Sequence, residues 1–305
     1  MPQCNKIAII GAGTVGSTAA YTALLKNIAA EILLIDINET KEEGEVMDMS
    51  DGICFVDTGC IKSADFIDAR DADIIVITAG APQKPGETRL DLVEKNKQII
   101  TSIFKAIGKL QSHTIVIMVA NPVDVLTHLA QQISGLPHNQ VFGSGTGLDT
   151  ARLRSELADT LGVSAQSIHG YVLGEHGDSE FVAWSSVHVG GLPINAIKHI
   201  QKKTRTHIEA CVRKQAYEII NRKGATYYGI GMVISELLEA IVYNQRRIMP
   251  VSTNLNKWNG ISDVCLGVPA IVGKNGIESV WPLTLTSDEI KKLKASAKTI
   301  KKYLS

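Results

Sequence analysis

The sequence predicts an α/β fold: a doubly wound parallel sheet, followed by a second, mixed α/β domain. Three observations predict it. Apolar runs recur at Lys6–Ile10, Glu31–Asp36, Asp73–Thr78 and Thr114–Val119. They are continuous rather than alternating, as strands covered on both faces should read. A glycine fingerprint, Gly11-Ala12-Gly13-Thr14-Val15-Gly16, lies between the first run and a helix-like stretch. The chain has 305 residues, 45% of them hydrophobic, enough for two cores at ~150 residues per domain.

The elements follow in order. Lys6–Ile10 is a short buried strand, and an Ala-rich helix runs from the fingerprint to about Asn27. Gly11 permits a tight turn, Gly13 lets the backbone approach a pyrophosphate, and Gly16 lets helix and strand pack closely. The phosphates then face a helix N-terminus with free N–H groups. The second strand ends in Asp36, 20 positions after Gly16, close to the spacing expected for a residue that binds a ribose diol. A carboxylate there repels a 2′-phosphate, so NAD is expected rather than NADP. Residues 1–143 are therefore read as an NAD-binding Rossmann domain and 144–305 as a substrate and catalytic domain.

The next two strands end in Thr78-Ala79-Gly80-Ala81 and Ala120-Asn121-Pro122-Val123-Asp124. Ligands bind beyond the carboxyl ends of such strands, so these are either cofactor contacts or ordinary strand-to-helix turns. Ala81–Arg89 is a polar loop with two prolines, ahead of a helix over Leu90–Leu110. Closing such a loop expels water and delivers a charge, with Arg89 the candidate. The alternative is an exposed arginine at a helix start.

Past Phe142 the pattern changes. Gly143-Ser144-Gly145-Thr146-Gly147 reads as a flexible join, and Thr150–Leu161 as a helix. Asp149 near its start is a helix cap or a functional acid; Arg152 and Arg154 are solvated or functional. His176, in Gly174-Glu175-His176-Gly177-Asp178-Ser179, stands among glycines and acids, poor material for a core element. One carboxylate, one arginine and one histidine are the minimum kit for a 2-oxo acid. Arginine grips a carboxylate through two parallel hydrogen bonds. Histidine moves a proton near neutral pH, and a buried aspartate holds its tautomer and stabilises its cation.

Farther on, Lys202–Arg222 and Ala225–Tyr243 read as long helices, and Gly267–Gly273 as a turn and a strand. The latter is no P-loop: five residues separate its glycines and Asn275 follows Lys274. The lysine-rich tail spaces Ile290, Leu293, Ala297, Ile300 and Leu304 as a surface helix would.

Formal net charge is +0, which argues against nucleic acid or an anionic membrane as a partner. The five cysteines form no Cys-x-x-Cys pair, so reduced thiols are expected, and no metal-ligand motif is present. The opening residues lack a charged leader followed by an apolar segment, so a cytoplasmic protein is expected.

Taken together, these motifs resemble the L-lactate and malate dehydrogenase family. The match runs in order over nearly the whole chain and includes Gly224-Ala225-Thr226-Tyr227-Tyr228-Gly229. The resemblance implies that His176 is the general acid for the ketone oxygen and the base in reverse. It implies that Asp149 orients His176, Arg152 clamps the substrate carboxylate, and Arg89 polarises the carbonyl. Asn121 lies near nicotinamide and substrate, and Thr226 lines the substrate pocket. Gly11, Gly13, Val15, Gly16, Asp36, Gly80, Ala81, Val119, Asn121 and Ser144 match cofactor positions. The family's choice of substrate concentrates at Gln83, where malate enzymes usually carry arginine. A neutral glutamine leaves the second carboxylate of oxaloacetate uncompensated, a cost of several kcal/mol. A methyl group in a pocket is worth only ~1–3 kcal/mol. Pyruvate and L-lactate are therefore expected, with malate dehydrogenase the nearest alternative. A non-catalytic NAD-binding protein would have no need of His176, Asp149, Arg152 and Arg89 together.

Bacterial members often bind fructose 1,6-bisphosphate at a subunit interface; Arg154 and His169 match its two basic positions. Members are usually homotetramers. Two departures stand out. Gly147 replaces a larger residue, which would loosen the hinge before Asp149. Phe181-Val182-Ala183-Trp184 looks more like relatives acting on longer 2-hydroxy acids, leaving 2-oxobutyrate and branched 2-oxo acids open.

Overall fold

Six parallel strands form the centre of the computed structural model, which describes residues 5–81, 89–198 and 200–304. From β1 (Lys6–Ile10), β2 (Glu31–Ile35) and β3 (Cys60–Ser63) extend to one side; β4 (Ile74–Ile77), β5 (Ile115–Met118) and β6 (Val141–Gly143) extend to the other. The strand order reverses beside β1, which pairs with both β2 and β4. That reversal opens a crevice at the carboxyl ends of the strands. α1 (Thr14–Leu25), α2 (Glu39–Asp51), α3 (Arg89–Ile107) and α4 (Val123–Ile133) connect these strands.

Burial on both faces accounts for the continuous apolar runs. In β1, Ile7 and Ile9 enter one core while Ala8 and Ile10 enter the other, all fully buried. Each such isoleucine contributes about 1.5–3 kcal/mol relative to exposure.

The second half begins with α5 (Gly147–Leu161). Five two-residue strands follow: β7 (Ile168–His169), β8 (Val172–Leu173), β9 (Phe181–Val182), β10 (His188–Val189) and β11 (Leu192–Pro193). Then come α6 (Lys202–Lys223), α7 (Tyr228–Val242), β12 (Arg247–Asn254), β13 (Cys265–Gly273), β14 (Gly276–Val280) and α8 (Ser287–Lys301). The large sheet does not stop at Gly143. β12 pairs antiparallel with β6 through Ser252 and Gly143, and β13 and β14 extend the sheet to nine strands. α7 packs on α1, where Lys26 bridges Glu236 and Glu239, and Ile234, Leu237 and Leu238 join the core beneath.

Several expectations are corrected. α5 starts at Gly147 rather than Thr150, so Asp149 lies within its first turn and does not cap it. Residues 143–147 are packed, not a flexible join: Ser144 N–H donates to the Met118 carbonyl (2.8 Å) and Thr146 Oγ1 to the Val172 carbonyl (2.7 Å). Gly147 loosens no hinge either. A Cβ there would stand 2.9 Å from Val233 Cγ1, so glycine is what lets α5 approach α7. The helix expected from Ala225 begins only at Tyr228. The turn expected at Gly267 is the interior of β13.

Candidate active site

A cavity of about 590 Å³ occupies the crevice beside β1. Gly11, Gly13, Asp36, Gly80 and Ala81 line it. A Cβ on Gly16 would fall 1.8 Å from the Gly11 carbonyl oxygen, so only glycine allows this turn to meet α1. A Cβ on Gly13 would meet nothing within 4 Å; the space before it is open. Gly13 precedes α1 without a side-chain cap, and the first turn of α1 has no acid. Its free N–H groups suit a pyrophosphate. Asp36 accepts from the backbone N–H of Ala12 (2.6 Å) and of Asn38 (2.9 Å), with lone pairs left for a ribose diol. The residues fit a dinucleotide.

In the second half, α5 and β8 are tied together: Thr150 Oγ1 accepts the Val172 N–H (3.0 Å) beside the Thr146 bond already noted. The chain after β8 turns at Gly174, whose φ of +100° disfavours other residues. Two backbone hydrogen bonds between Gly174 and Gly267 anchor this turn to β13. This local order sets His176 against α5. His176 Nδ1 lies 2.6 Å from Asp149 Oδ2, and Arg152 Nη1 donates to Asp149 Oδ1 at 2.9 Å. Asp149 and Arg152 are buried, but the His176 ring is 27% exposed, so a small substrate can reach it.

Electrostatics follow from this packing. The Asp149 charge raises His176 to about 9, against the opposing effect of burial. Burial pushes Asp149 up, but His176 and Arg152 outweigh it and hold the carboxyl below its usual range. His176 is thus a cation at neutral pH with Nε2 left for chemistry.

Two supports were not singled out from the sequence. Buried Asp124 accepts from the His176 backbone N–H (2.8 Å) and from Ser252 Oγ (2.6 Å). Burial raises its carboxyl to about 6. Asn96, buried on α3, accepts from Ala81 N–H (2.8 Å) and donates to the Asn121 carbonyl (2.7 Å). It ties together the two loops beyond β4 and β5. Its signal was a polar residue on an apolar helical stripe with Val93, Ile100, Ile103 and Ile107.

The other expected residues are dispersed. Val15 and Gly16 lie in the first turn of α1, Val119 and Asn121 just beyond β5, and Ser144 just beyond β6. Thr226, half-buried, lies between α6 and α7. Gln83 lies outside the described residues; Arg89 is the first residue of α3, and its side chain lies outside the description as well. Arg154 and His169 sit on α5 and β7, away from the Asp149 carboxylate contacts. Among the described residues, Asp149, His176 and Glu180 form the one cluster with metal-ligand spacing, all atoms within 4.8 Å. Arg152 already places positive charge on Asp149, which opposes a metal ion there.

Residues 5–143 match the lactate/malate dehydrogenase NAD-binding domain, and residues 146–305 match that family's alpha/beta C-terminal domain. The L-lactate dehydrogenase of Acetivibrio thermocellus is 44% identical over 305 residues, covering 98% of this chain and 96% of that relative. That of Kosmotoga olearia is 45% identical, covering 97% of this chain and 94% of its own. The crystal structure of the minor L-lactate dehydrogenase from Enterococcus mundtii, in ligand-bound form, superposes with a TM-score of 0.95 at 42% identity, covering 98% and 97% of the two chains. With an NAD-binding domain over its first half and an acid–histidine–arginine group in its second, this chain belongs to the lactate/malate dehydrogenase family.

Proposed function

We propose that this protein is an NAD-dependent L-lactate dehydrogenase that interconverts pyruvate and L-lactate. One observation carries the reading: a single buried carboxylate, Asp149, holds His176 on one oxygen and Arg152 on the other. NAD, when bound in the crevice, supplies or accepts the hydride. The protein's own residues handle charge and protons. Arg152 keeps N–H donors beyond the one given to Asp149, and these take the substrate carboxylate. His176 donates its proton from Nε2 to the ketone oxygen, and the reverse reaction returns it. Arg89 polarises the carbonyl, Asn121 borders the reacting groups, and Thr226 lines the pocket. Val15, Asp36, Val119 and Ser144 contact the cofactor, and the domains divide at 143/144. The curated relatives named L-lactate dehydrogenase support this assignment.

Gln83 supports pyruvate over oxaloacetate. The test follows loss of NADH absorbance with pyruvate, oxaloacetate and 2-oxobutyrate. Pyruvate is expected to lead oxaloacetate; the opposite order by a wide margin would make this a malate enzyme. Gln83→Arg is expected to shift the preference toward oxaloacetate by about 100-fold, the scale of ~3 kcal/mol for compensating a buried charge.

Fructose 1,6-bisphosphate belongs in the same assay. Arg154 Nε is buried with no partner among the described residues, and burial, with a smaller effect of Arg247, disfavours its charge while Tyr171 opposes them. An anion would relieve both. His169 is exposed on β7 opposite His188. Turnover of pyruvate is expected to rise with the sugar bisphosphate, and a flat titration at several pH values removes Arg154 and His169 from regulation. Among the described residues no helix is long and apolar enough to cross a membrane. A cytoplasmic homotetramer, serving pyruvate reduction at the fermentative end of glycolysis, completes the proposal.

A further inference from the structure

Glu180 directly follows the Gly174–Ser179 motif and has no role in the reaction just described. It is buried, 6% exposed, and its carboxyl group packs beside Asp149. Its carboxyl oxygen, the Asp149 oxygen and the His176 ring nitrogen all lie within 4.8 Å of one another. Two buried carboxyl groups this close repel each other when both are ionised, and a proton on one makes it a donor to the other. Asp149 already takes His176 on one oxygen and Arg152 on the other, so it is the one that stays ionised. Burial, then the Asp149 charge, raise Glu180 above its usual range against the opposing pull of His176 and Arg152, so the shared proton falls to Glu180.

The neighbouring cations, Arg152 and His176, favour an ionised Glu180, but both are already paired with Asp149. On α5 it faces Asp149 and Arg152, and beside it His176. Behind it, Glu209 and Arg213 of α6 line the same small recess. Glu209 is engaged by Trp184 Nε1 (2.6 Å), Arg213 (3.7 Å) and Lys292 (3.9 Å), so these cations already share a carboxylate. Asp124 reaches the His176 backbone rather than its ring.

We propose that Glu180 is a positioning residue: a neutral carboxylic acid that donates a hydrogen bond to Asp149 and thereby sets how tightly His176 holds its transferable proton. This rests on His176 being the acid–base group of the proposed reaction. A donor on Asp149 draws off part of its negative charge. The imidazolium is then held less tightly, so His176 can give up its proton in one direction and recover it in the other. An ionised Glu180 would do the opposite, adding a second negative charge that fixes the proton on His176.

The two cases move the pH profile in opposite directions. The readout is the pH midpoint of kcat/KM for lactate oxidation, which needs neutral His176, in wild type, Glu180→Gln and Glu180→Leu. The glutamine amide keeps the hydrogen bond without a charge, so its midpoint is expected to stay at the wild-type value. Leucine removes the donor, so its midpoint is expected to rise by about one pH unit, a tenfold change in proton affinity. A fall in both variants, or no movement with leucine, overturns the proposal. A second measurement needs no turnover. At neutral pH, infrared difference spectra are expected to show the carbonyl stretch of a protonated carboxylic acid in wild type but not in Glu180→Gln. If that band is missing from wild type, Glu180 is not the neutral donor. A protein that shows the band yet oxidises no 2-hydroxy acid overturns the assigned activity, not the shared proton.

Discussion

Asp149→Asn is expected to lower kcat for pyruvate reduction by about 10³–10⁴-fold, the scale seen when the aspartate of a Ser-His-Asp triad becomes asparagine. Asp149 Oδ2 sits 2.6 Å from His176 Nδ1 and is the main reason His176 stays protonated to about 9. An amide supplies no charge and can present N–H where the ring also presents N–H. The imidazolium then loses its stabiliser and its orientation together. Stability changes with pH in a defined sense. A histidine whose folded value is raised stabilises the fold fully below its unfolded value, ~6.5, and loses that contribution as pH rises through about 9. The thermal deficit of Asp149→Asn is therefore expected to be largest below about pH 6.5 and to shrink toward pH 9. Steady-state turnover at neutral pH and melting curves across that window test both parts. A kcat within tenfold of wild type would remove Asp149 from the reaction.

The second large effect is expected from Arg152→Lys, which weakens pyruvate binding by about 2–5 kcal/mol, the cost of truncating a buried partner in a charge pair. Charge is conserved, so the loss reports geometry. In the structure one guanidinium nitrogen is already committed to Asp149 at 2.9 Å, in a site only 7% exposed. A planar fork can serve the aspartate and a substrate carboxylate at once. A lysine ammonium is a single centre and must divide itself between them. KM for pyruvate is the measurement; an unchanged value means that Arg152 does not touch the substrate.

The parallel strands were legible because their two-sided burial removes polar residues, leaving runs such as Ile-Ile-Val-Ile in β4. β12 and β14 were not. β12 begins with an arginine and contains Pro250, which stands opposite Pro269 of β13. Proline in both strands disguises a ladder that tolerates it at this register. In the site, the residue types His176, Asp149 and Arg152 were legible, but their contact depends on α5 being tied to β8. Asp124 and Ser252, 128 positions apart, meet only because β12 joins the sheet. No local pattern encodes such a meeting. Glu180 carries no local sequence signal of a role, and only burial beside Asp149 gives it significance.

The pairing of Gly143 with Ser252 bears on whether the halves are separable modules. Were the chain severed after Gly143, β6 would become a raw border with unmatched amide and carbonyl groups, a template for sticking to other chains. The flank of α1 would lose its lid, since Ile234, Leu237 and Leu238 arrive from the far half. The NAD-binding half and the C-terminal half thus share one sheet and one core.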